Sequence, residues 1–189
     1  MTYGERFEEA LKYAARLHRA QLRKGTNTPY VTHLLAVAAV VGENGGTEDE
    51  VISALLHDAV EDQGGATTRE EIRRRFGDAV AEIVDHVSDT DVFPKPPWRE
   101  RKEAYVAGVR DAPRSARLVS AADKLHNARS ILRDLRAEGD AVWRRFTATK
   151  EETLWYYRAL VDAFGASGGL EELVGELDEV VGKLESEAA

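Results

Sequence analysis

The feature that most constrains the fold is a helical spacing of apolar residues along nearly the whole chain. Near the N-terminus, apolar residues from Phe7 to Leu17 recur at steps of three and four, which places them on one helix face. Similar spacing continues towards the C-terminus, and no useful stretch alternates apolar and polar residues as a half-buried strand would. The sequence therefore predicts an all-α protein of roughly eight to ten helices.

Local signals place the second and third helices. Residues from about 32 to 44 are apolar on most sides of a helix, which predicts a central position. Thr47 and Glu50 form the pattern of a capping box at the start of the next helix. That helix is expected to run through Val51, Leu56 and Val60 and to end near Gly64 and Gly65.

Later segments follow the same logic. Thr68 and Glu71 predict a second capping box, at the start of a short helix that ends near Phe76. Residues 88–98 contain three of the five prolines and predict a long loop, which in a small domain is typical of a functional segment. Further helices are expected over about 78–87, 99–109, 113–137, 148–164 and 169–184.

Length and composition bound the class of protein. The 189 residues fit one domain, expected over 1–189, and the formal net charge of −8 argues against nucleic acid or an anionic membrane as partner. The absence of cysteine excludes a disulfide framework, a zinc ribbon and thiol catalysis. No apolar run approaches the roughly 18 residues that span a bilayer, and the N-terminus is acidic rather than signal-like. We therefore expect a cytoplasmic protein.

Histidine and aspartate residues on three predicted helices form a candidate metal site. His33 lies near the start of the second helix, and His57 and Asp58 are adjacent within the third. Asp123 lies in the long helix over 113–137. A carboxylate within an apolar helix is costly unless it is paired or bound to a metal. Two imidazoles and two carboxylates would suit an octahedral divalent cation, Mn²⁺ or Fe²⁺ more than Mg²⁺.

Two further carboxylates and an amide follow these residues at helical spacing. Glu61 and Asp62 each lie four residues after one member of the adjacent His–Asp pair. Residues four apart share a helix face, so both acids are expected one turn beyond the metal, where a general base would sit. Asn127 lies four residues after Asp123 and is placed to orient a substrate or water.

The same residues also allow a structural interpretation. A buried histidine is more often a satisfied core residue than a ligand, and scattered acids are usually solvated. The helix over 51–62 would then be an ordinary amphipathic helix with an acidic C-terminal end. Acids at a helix C-terminus oppose the helix dipole, which favours the metal site. Spacing alone leaves both interpretations open.

Basic residues cluster away from these acids. Arg23 and Lys24 precede a predicted turn, and Arg101 and Lys102 are among the cations that flank the proline-rich loop. Charges at loops and helix starts are commonly solvated. Beside a metal, however, they would hold the phosphates of an anionic substrate.

At these positions the sequence resembles the HD-domain phosphohydrolases, in which a His … His-Asp … Asp order is the metal-binding signature. It is more closely similar to the hydrolase domain of the RelA/SpoT family and to the small alarmone hydrolases. The similar segments are residues 14–33, 54–62 and 122–127. The resemblance covers about residues 5–135, which leaves about 140–185 as a C-terminal helical extension.

The resemblance implies an HD-type helical bundle with Mn²⁺-dependent pyrophosphohydrolase activity. Such an enzyme would use a metal-activated water to remove the 3′-pyrophosphate of guanosine tetra- or pentaphosphate, the alarmones of the stringent response. By position in the motifs, the implied roles are metal ligands for His33, His57, Asp58 and Asp123, water activation for Glu61 and Asp62, and substrate contacts for Arg23, Lys24, Arg101, Lys102 and Asn127. His18 is left either as a support of the site or as a structural residue.

Several alternatives stay open at this point. The chain departs from the family pattern after Ser88 and in the loop up to Trp98, where substrate would be held. Another nucleotide, such as a nucleoside monophosphate or NADPH, is therefore a second candidate substrate. A nucleotide-binding module without catalysis and a purely structural helical protein are further candidates. The C-terminal helices could pack within the chain or form the interface of a homodimer, and the sequence leaves both open. From the chain length, we expect no synthetase of the kind found in the longer family members.

Overall fold

The computed structural model of the protein describes residues 2–88 and 96–189, and these residues are almost entirely helical. They form ten α-helices and one 3-10 helix, and the extended pairing among them is an isolated bridge between Leu22 and Pro29. The predicted all-α class is therefore confirmed. In the described part of the chain, no helix combines the length and the apolar character needed to cross a membrane.

Ten α-helices follow one another along the described residues. They are α1 (Glu5–Leu17), α2 (Val31–Glu43), α3 (Glu48–Leu56), α4 (Ala59–Asp62), α5 (Gly65–Phe76), α6 (Asp78–Val87), α7 (Trp98–Asp111), α8 (Arg114–Glu138), α9 (Lys150–Ser167) and α10 (Glu171–Ala188). The 3-10 helix, Gly139–Arg145, follows α8. Most of the predicted proline-rich loop, residues 89–95, lies outside the described residues.

The chain forms two compact units. The first unit comprises Met1–Lys95 with Pro113–Ala122, and the second comprises Pro96–Ala112 with Asp123–Ala189. Helix α8 therefore contributes its first part to the first unit and the remainder to the second. The expectation of one domain over 1–189 stays a prediction.

In the first unit, packing centres on α3. This helix packs against α1, α2 and α6, and α5 packs against α4 and α6. Ile52 and Leu55 on α3 and Leu34 and Val37 on α2 are fully buried. Burial of such a side chain contributes about 1.5–3 kcal/mol, so α2 and α3 form a stable support for the histidines at their ends.

In the second unit, α9 packs against both α7 and α10. Leu160 and Phe164 of α9 are buried, as is Leu177 of α10. The C-terminal aromatic residues belong to this core, because Tyr156 is buried and its ring lies edge-on to Trp98 at 5.9 Å between centroids. These aromatic side chains therefore stabilise the unit by packing.

The two predicted capping boxes have different outcomes. The Thr47 hydroxyl accepts from the Glu50 amide at 3.3 Å, and the Glu50 carboxylate accepts from the Thr47 amide at 2.7 Å, so the first capping box is confirmed. The prediction at Thr68 is wrong, because α5 begins earlier, at Gly65. The Thr68 hydroxyl donates to the carbonyl of Gln63 at 2.8 Å and so holds the segment before the helix.

Candidate metal centre

Three side chains of the first unit converge on one point. His33 lies on α2, His57 directly follows α3, and Asp58 directly precedes α4. The Nε2 atoms of His33 and His57 lie 3.6 Å and 3.0 Å from Oδ2 of Asp58. One ligand atom from each residue lies within 4.8 Å of the others, which is close enough for all three to contact a single cation. The structure thus brings together three of the four residues predicted as metal ligands.

The prediction of a single helix from the Thr47 capping box to near Gly64 is wrong. The helix ends at Leu56, and the next two residues form a turn before α4. Asp58 has φ −95° and ψ −1°, and aspartate is a poor helix former, which favours a break at this position. The Asp62 amide still donates to the Asp58 carbonyl at 2.9 Å, so the expected spacing of four residues is retained. The side chains of His57 and Asp58 meet at this turn, and both residues keep right-handed helical dihedral angles.

A hydrogen bond determines which nitrogen of His57 faces Asp58. The Nδ1 atom of His57 lies 2.8 Å from the carbonyl oxygen of Ala54. A carbonyl can only accept, so Nδ1 carries the proton in the neutral ring and Nε2 presents its lone pair. The ring is 4% exposed, so its orientation is fixed by packing as well. This is the tautomer that a metal-ligating imidazole requires.

Tyr30 supports the centre, although sequence reasoning did not assign it a role. Its hydroxyl donates to Oδ2 of Asp58 at 2.6 Å, and its ring lies edge-on to His33 at 5.5 Å between centroids. A hydrogen bond to a ligating carboxylate fixes that carboxylate in position. The available signal was its place three residues before His33, since residues three apart share a helix face.

The two acids expected to activate water lie on α4. Glu61 and Asp62 both reach the surface, and Oδ2 of Asp62 accepts a hydrogen bond from Nε2 of Gln21 at 2.7 Å. Partial burial raises the pKa of Asp62, against the effect of the Gln21 hydrogen bond. The nearby charges of Asp58 and Glu61 raise that pKa further. A carboxylate with a raised pKa is a stronger proton acceptor, as a general base requires.

Arg23 and Lys24 lie in the turn between α1 and α2. The Arg23 amide donates to the carbonyl of Thr28 at 2.8 Å, which holds the turn closed. The Arg23 guanidinium carbon lies 5.9 Å from the ring centroid of Tyr30, the residue that hydrogen-bonds Asp58. Lys24 is exposed. The structure thus places Arg23 near Tyr30, which contacts one of the candidate ligands.

Asp123 and Asn127 belong to the second unit. Asp123 is 7% exposed, and its Oδ1 accepts from Nδ2 of Asn127 at 2.6 Å. Its Oδ2 lies 2.5 Å from Nζ of Lys124. Burial lowers the pKa of Lys124, but the Asp123 carboxylate outweighs this effect and holds that pKa well above its usual value. The role of Asp123 as a metal ligand stays a prediction.

Arg101 and Lys102 lie in the first turns of α7, also in the second unit. The Nε of Arg101 donates to the carbonyl of Pro96 at 3.1 Å. The Nζ of Lys102 lies 5.1 Å from the ring centroid of Tyr156 and 5.9 Å from that of Tyr105, in the range of cation–π contacts. Their role as phosphate contacts stays a prediction.

Known proteins are similar to this chain in sequence and in fold. A family model described as an HD domain matches residues 10–154. The chain is 41% identical over 128 residues to guanosine-3′,5′-bis(diphosphate) 3′-pyrophosphohydrolase MESH1 of Xenopus tropicalis, which covers 66% of this chain and 69% of that protein. It is 36% identical over 174 residues to the protein of the same name from Mus musculus, covering 90% and 92% of the two chains.

A solved structure agrees with these matches. It belongs to a metazoan ortholog of SpoT that hydrolyzes ppGpp, and it superposes with a TM-score of 0.76 at 30% sequence identity. The match covers 95% of this chain and 96% of that chain. The resemblance expected from the motifs, and the HD-type helical fold that it implied, are therefore confirmed, and the chain belongs to the HD-domain family.

Proposed function

We propose that this chain is a metal-dependent phosphohydrolase that removes the 3′-pyrophosphate of guanosine-3′,5′-bis(diphosphate). The observation that carries the proposal is the convergence of His33, His57 and Asp58 on one point in the first unit. These residues lie within the matched HD domain. The relatives from Xenopus tropicalis and Mus musculus are named for the same activity, which supports this choice of substrate.

The donor set fits a divalent cation. Two buried imidazoles and a half-buried carboxylate supply nitrogen and oxygen ligands, which suit Mn²⁺ or Fe²⁺. We propose Asp123 as the fourth ligand. We choose Mn²⁺. A divalent cation held by these residues would polarise a phosphoryl oxygen and lower the pKa of water towards neutrality.

The carboxylates on α4 would perform the proton transfer. Asp62, with its raised pKa, accepts a proton from the attacking water, and Glu61 contributes negative charge beside it. Water attacks the phosphorus that is joined to the ribose 3′-oxygen. The bond between that phosphorus and the 3′-oxygen breaks, the 3′-oxygen takes up a proton, and pyrophosphate and GDP are the products.

The basic residues would hold the nucleotide. We propose that two residues of the first unit contact the nucleotide, Arg23 and Lys24. The proposed contacts from the second unit are Arg101, Lys102 and Asn127. Guanidinium and ammonium groups bind phosphate oxygens by charge-assisted hydrogen bonds. These cations would offset the overall charge of −8, which otherwise repels a polyphosphate.

The surroundings of the reaction follow from the substrate. We expect the enzyme to act in the cytoplasm on free nucleotide, and its net charge of −8 disfavours nucleic acid and anionic membranes as partners. A homodimer would be detected as twice the chain mass of 20.9 kDa in light scattering of the purified protein.

A panel of nucleotides tests the proposed substrate. Metal-stripped protein is supplied with Mn²⁺ and given guanosine-3′,5′-bis(diphosphate), GMP or NADPH, and products are followed by ³¹P NMR. We expect pyrophosphate and GDP in equal amounts from the first substrate and the slowest turnover with GMP. Faster release of orthophosphate from GMP or NADPH would overturn the substrate assignment. Thermal stabilisation by the nucleotide without turnover would indicate a binding module instead.

A further inference from the structure

A hydrogen-bond network in the segment after α1 ends on the carboxylate of Asp62. The Nε2 of Gln21 donates to Oδ2 of Asp62 at 2.7 Å. The Oε1 of Gln21 accepts from Nε2 of Gln63 at 2.6 Å and lies 2.7 Å from Nδ1 of His18. All four residues lie in the first unit. Gln21 therefore connects a buried histidine to an acid on α4.

The partners of Gln21 allow one orientation of its amide. A carboxylate only accepts hydrogen bonds, and the amide nitrogen of Gln63 only donates them. If the Gln21 amide were reversed, its oxygen would face the Asp62 carboxylate and its nitrogen would face the Gln63 nitrogen. The observed orientation is the one in which both contacts are hydrogen bonds. It also requires that Nδ1 of the neutral His18 ring carries the proton, because this atom faces an oxygen acceptor.

His18 does more than fill space. It is 1% exposed, and its Nε2 has no hydrogen-bond partner among the described residues. Burying a polar atom without a partner is unfavourable, so an apolar side chain would serve packing better at this position. The histidine does provide one directed contact, from its Nδ1 to Gln21. That contact gives a physical reason for its presence.

The network also contacts the residue that holds Asp58. The ring of His18 stacks on Tyr30 at 5.3 Å between centroids with an interplanar angle of 18°. Tyr30 in turn donates to Oδ2 of Asp58 at 2.6 Å. The segment between α1 and α2 thus fixes a carboxylate of the metal centre and the carboxylate of Asp62 through side chains that touch each other.

We propose that Gln21 is a positioning residue for Asp62, with His18 and Gln63 holding its amide in the required orientation. The Gln21 N–H binds Oδ2 of Asp62. The other oxygen, Oδ1, is thereby directed towards the attacking water and accepts its proton. The inference rests on the proposed function, in which Asp62 activates that water. Gln21 itself does not exchange a proton or touch the substrate.

Kinetics of Gln21→Met test this role. The methionine keeps most of the side-chain volume and removes the hydrogen bonds. We expect kcat to fall about tenfold to hundredfold, a part of the ~10²–10⁴ that general-base catalysis contributes, while KM changes less than about threefold. Gln63→Met, which removes a contact to Gln21 but none to Asp62, is expected to lower kcat less. A kcat of Gln21→Met equal to that of the wild type, in an active enzyme, would overturn the inference and leave the proposed function standing.

Two further measurements separate positioning from a structural role. If Gln21→Met lowered kcat, raised KM and lowered the melting temperature together, a general disturbance of the structure would explain the loss of activity. That result would overturn the inference. If the methionine variant does not fold, Gln21→Asn, which keeps an amide but shortens the side chain, is expected to fold and to show the lower kcat. Absence of turnover in the wild type would overturn the proposed function and, with it, the role of Gln21.

The tautomer of His18 gives a readout that does not depend on activity. In ¹⁵N NMR of the wild-type protein, we expect the His18 ring to carry its proton on Nδ1. In Gln21→Met, we expect that preference to be lost. A wild-type ring protonated on Nε2 alone would show that the Gln21 oxygen does not face His18, and would overturn the inferred orientation.

Discussion

The Nε2 atom of His57 lies 3.0 Å from Oδ2 of Asp58, although the two residues are neighbours in the chain. The contact lies in the two-residue turn between α3 and α4, where both residues keep right-handed helical dihedral angles. The turn is held on one side by the buried α3 and on the other by the bond from the Asp62 amide to the Asp58 carbonyl. Two potential ligands are thereby fixed together before any cation binds.

Removing the charge of Asp58 should remove the metal. Asp58→Asn keeps the shape of the side chain but replaces an anionic ligand with a neutral amide. We expect manganese that co-purifies through gel filtration to fall from near one equivalent to a small fraction, measured by elemental analysis. Asp111→Asn, which changes an exposed acid at the end of α7, serves as the control and should retain the metal. Unchanged manganese in Asp58→Asn would contradict its role as a ligand.

The hydroxyl of Tyr30 should tune metal affinity. Tyr30→Phe removes the hydrogen bond to Oδ2 of Asp58 and leaves the ring in place. Loss of such a support typically weakens metal binding about 10–100-fold, which we expect in a Mn²⁺ titration followed by electron paramagnetic resonance of the free ion. Tyr13→Phe changes a tyrosine that packs on Phe76 and should bind as the wild type does. If Tyr30→Phe bound Mn²⁺ as tightly as Tyr13→Phe and the wild type do, the hydrogen bond from Tyr30 would not support the site.

The sequence was sufficient to predict the all-α class and to select His33 and His57 as candidate ligands, for physical reasons. Apolar residues at helical spacing favour helices over strands. Histidine is the commonest metal ligand in proteins, so His33 and His57 could be selected as candidates. The break at Asp58 could not be read from the same pattern, because Val60 beyond it stays buried and the apolar period continues. A turn of two residues with right-handed helical dihedral angles leaves the spacing of the apolar residues unchanged.

Local patterns also did not predict which carboxylates Gln21 and Tyr30 contact. Both side chains bind carboxylates that lie far away in sequence, at Asp62 and Asp58, and such pairs are set by the packing of α1, α2 and α3. The false capping box at Thr68 has a similar cause. A short motif describes two side chains, whereas the start of a helix depends on the backbone before it.

The capping box of α9 should contribute to stability. The Thr149 hydroxyl accepts from the Glu152 amide at 3.2 Å, and the Glu152 carboxylate accepts from the Thr149 amide at 2.8 Å. Thr149→Ala should cost about 1 kcal/mol of unfolding free energy in urea. Thr147→Ala, at an exposed position before the helix, should cost much less. Equal stability of the two variants would contradict the cap.

Two glycines should respond to alanine with opposite signs. A Cβ at Gly46 would lie 2.5 Å from Cγ1 and 2.7 Å from the carbonyl oxygen of Val41, so Gly46→Ala should destabilise the protein. Gly175 lies within α10 with open space around it, and Gly175→Ala should stabilise the protein by about 0.5–1 kcal/mol. Thermal unfolding of both variants checks the signs, and a stabilised Gly46→Ala would contradict the close approach.

Glu71 should titrate at unusually low pH. Hydrogen bonds from Arg74 and Arg75 lower the pKa of this carboxyl from 4.5 to about 2. A lowered native pKa gives stability that is present above the unfolded value and is lost as the pH falls from about 4.5 to 2. Carbon NMR of the Glu71 carboxyl should show a midpoint near the lower value. Glu71→Gln should lose less stability than the wild type over this interval, and an equal loss would contradict the sign.

Pyrophosphate release by metal-stripped protein, measured before and after addition of Mn²⁺, tests the central claim most directly. With guanosine-3′,5′-bis(diphosphate) as substrate, we predict negligible release before the addition, and release of pyrophosphate with an equal amount of GDP after it. Asp58→Asn should stay inactive in both conditions. Release that does not depend on the metal, or no release by wild-type protein with Mn²⁺ bound, would contradict a metal-dependent pyrophosphohydrolase.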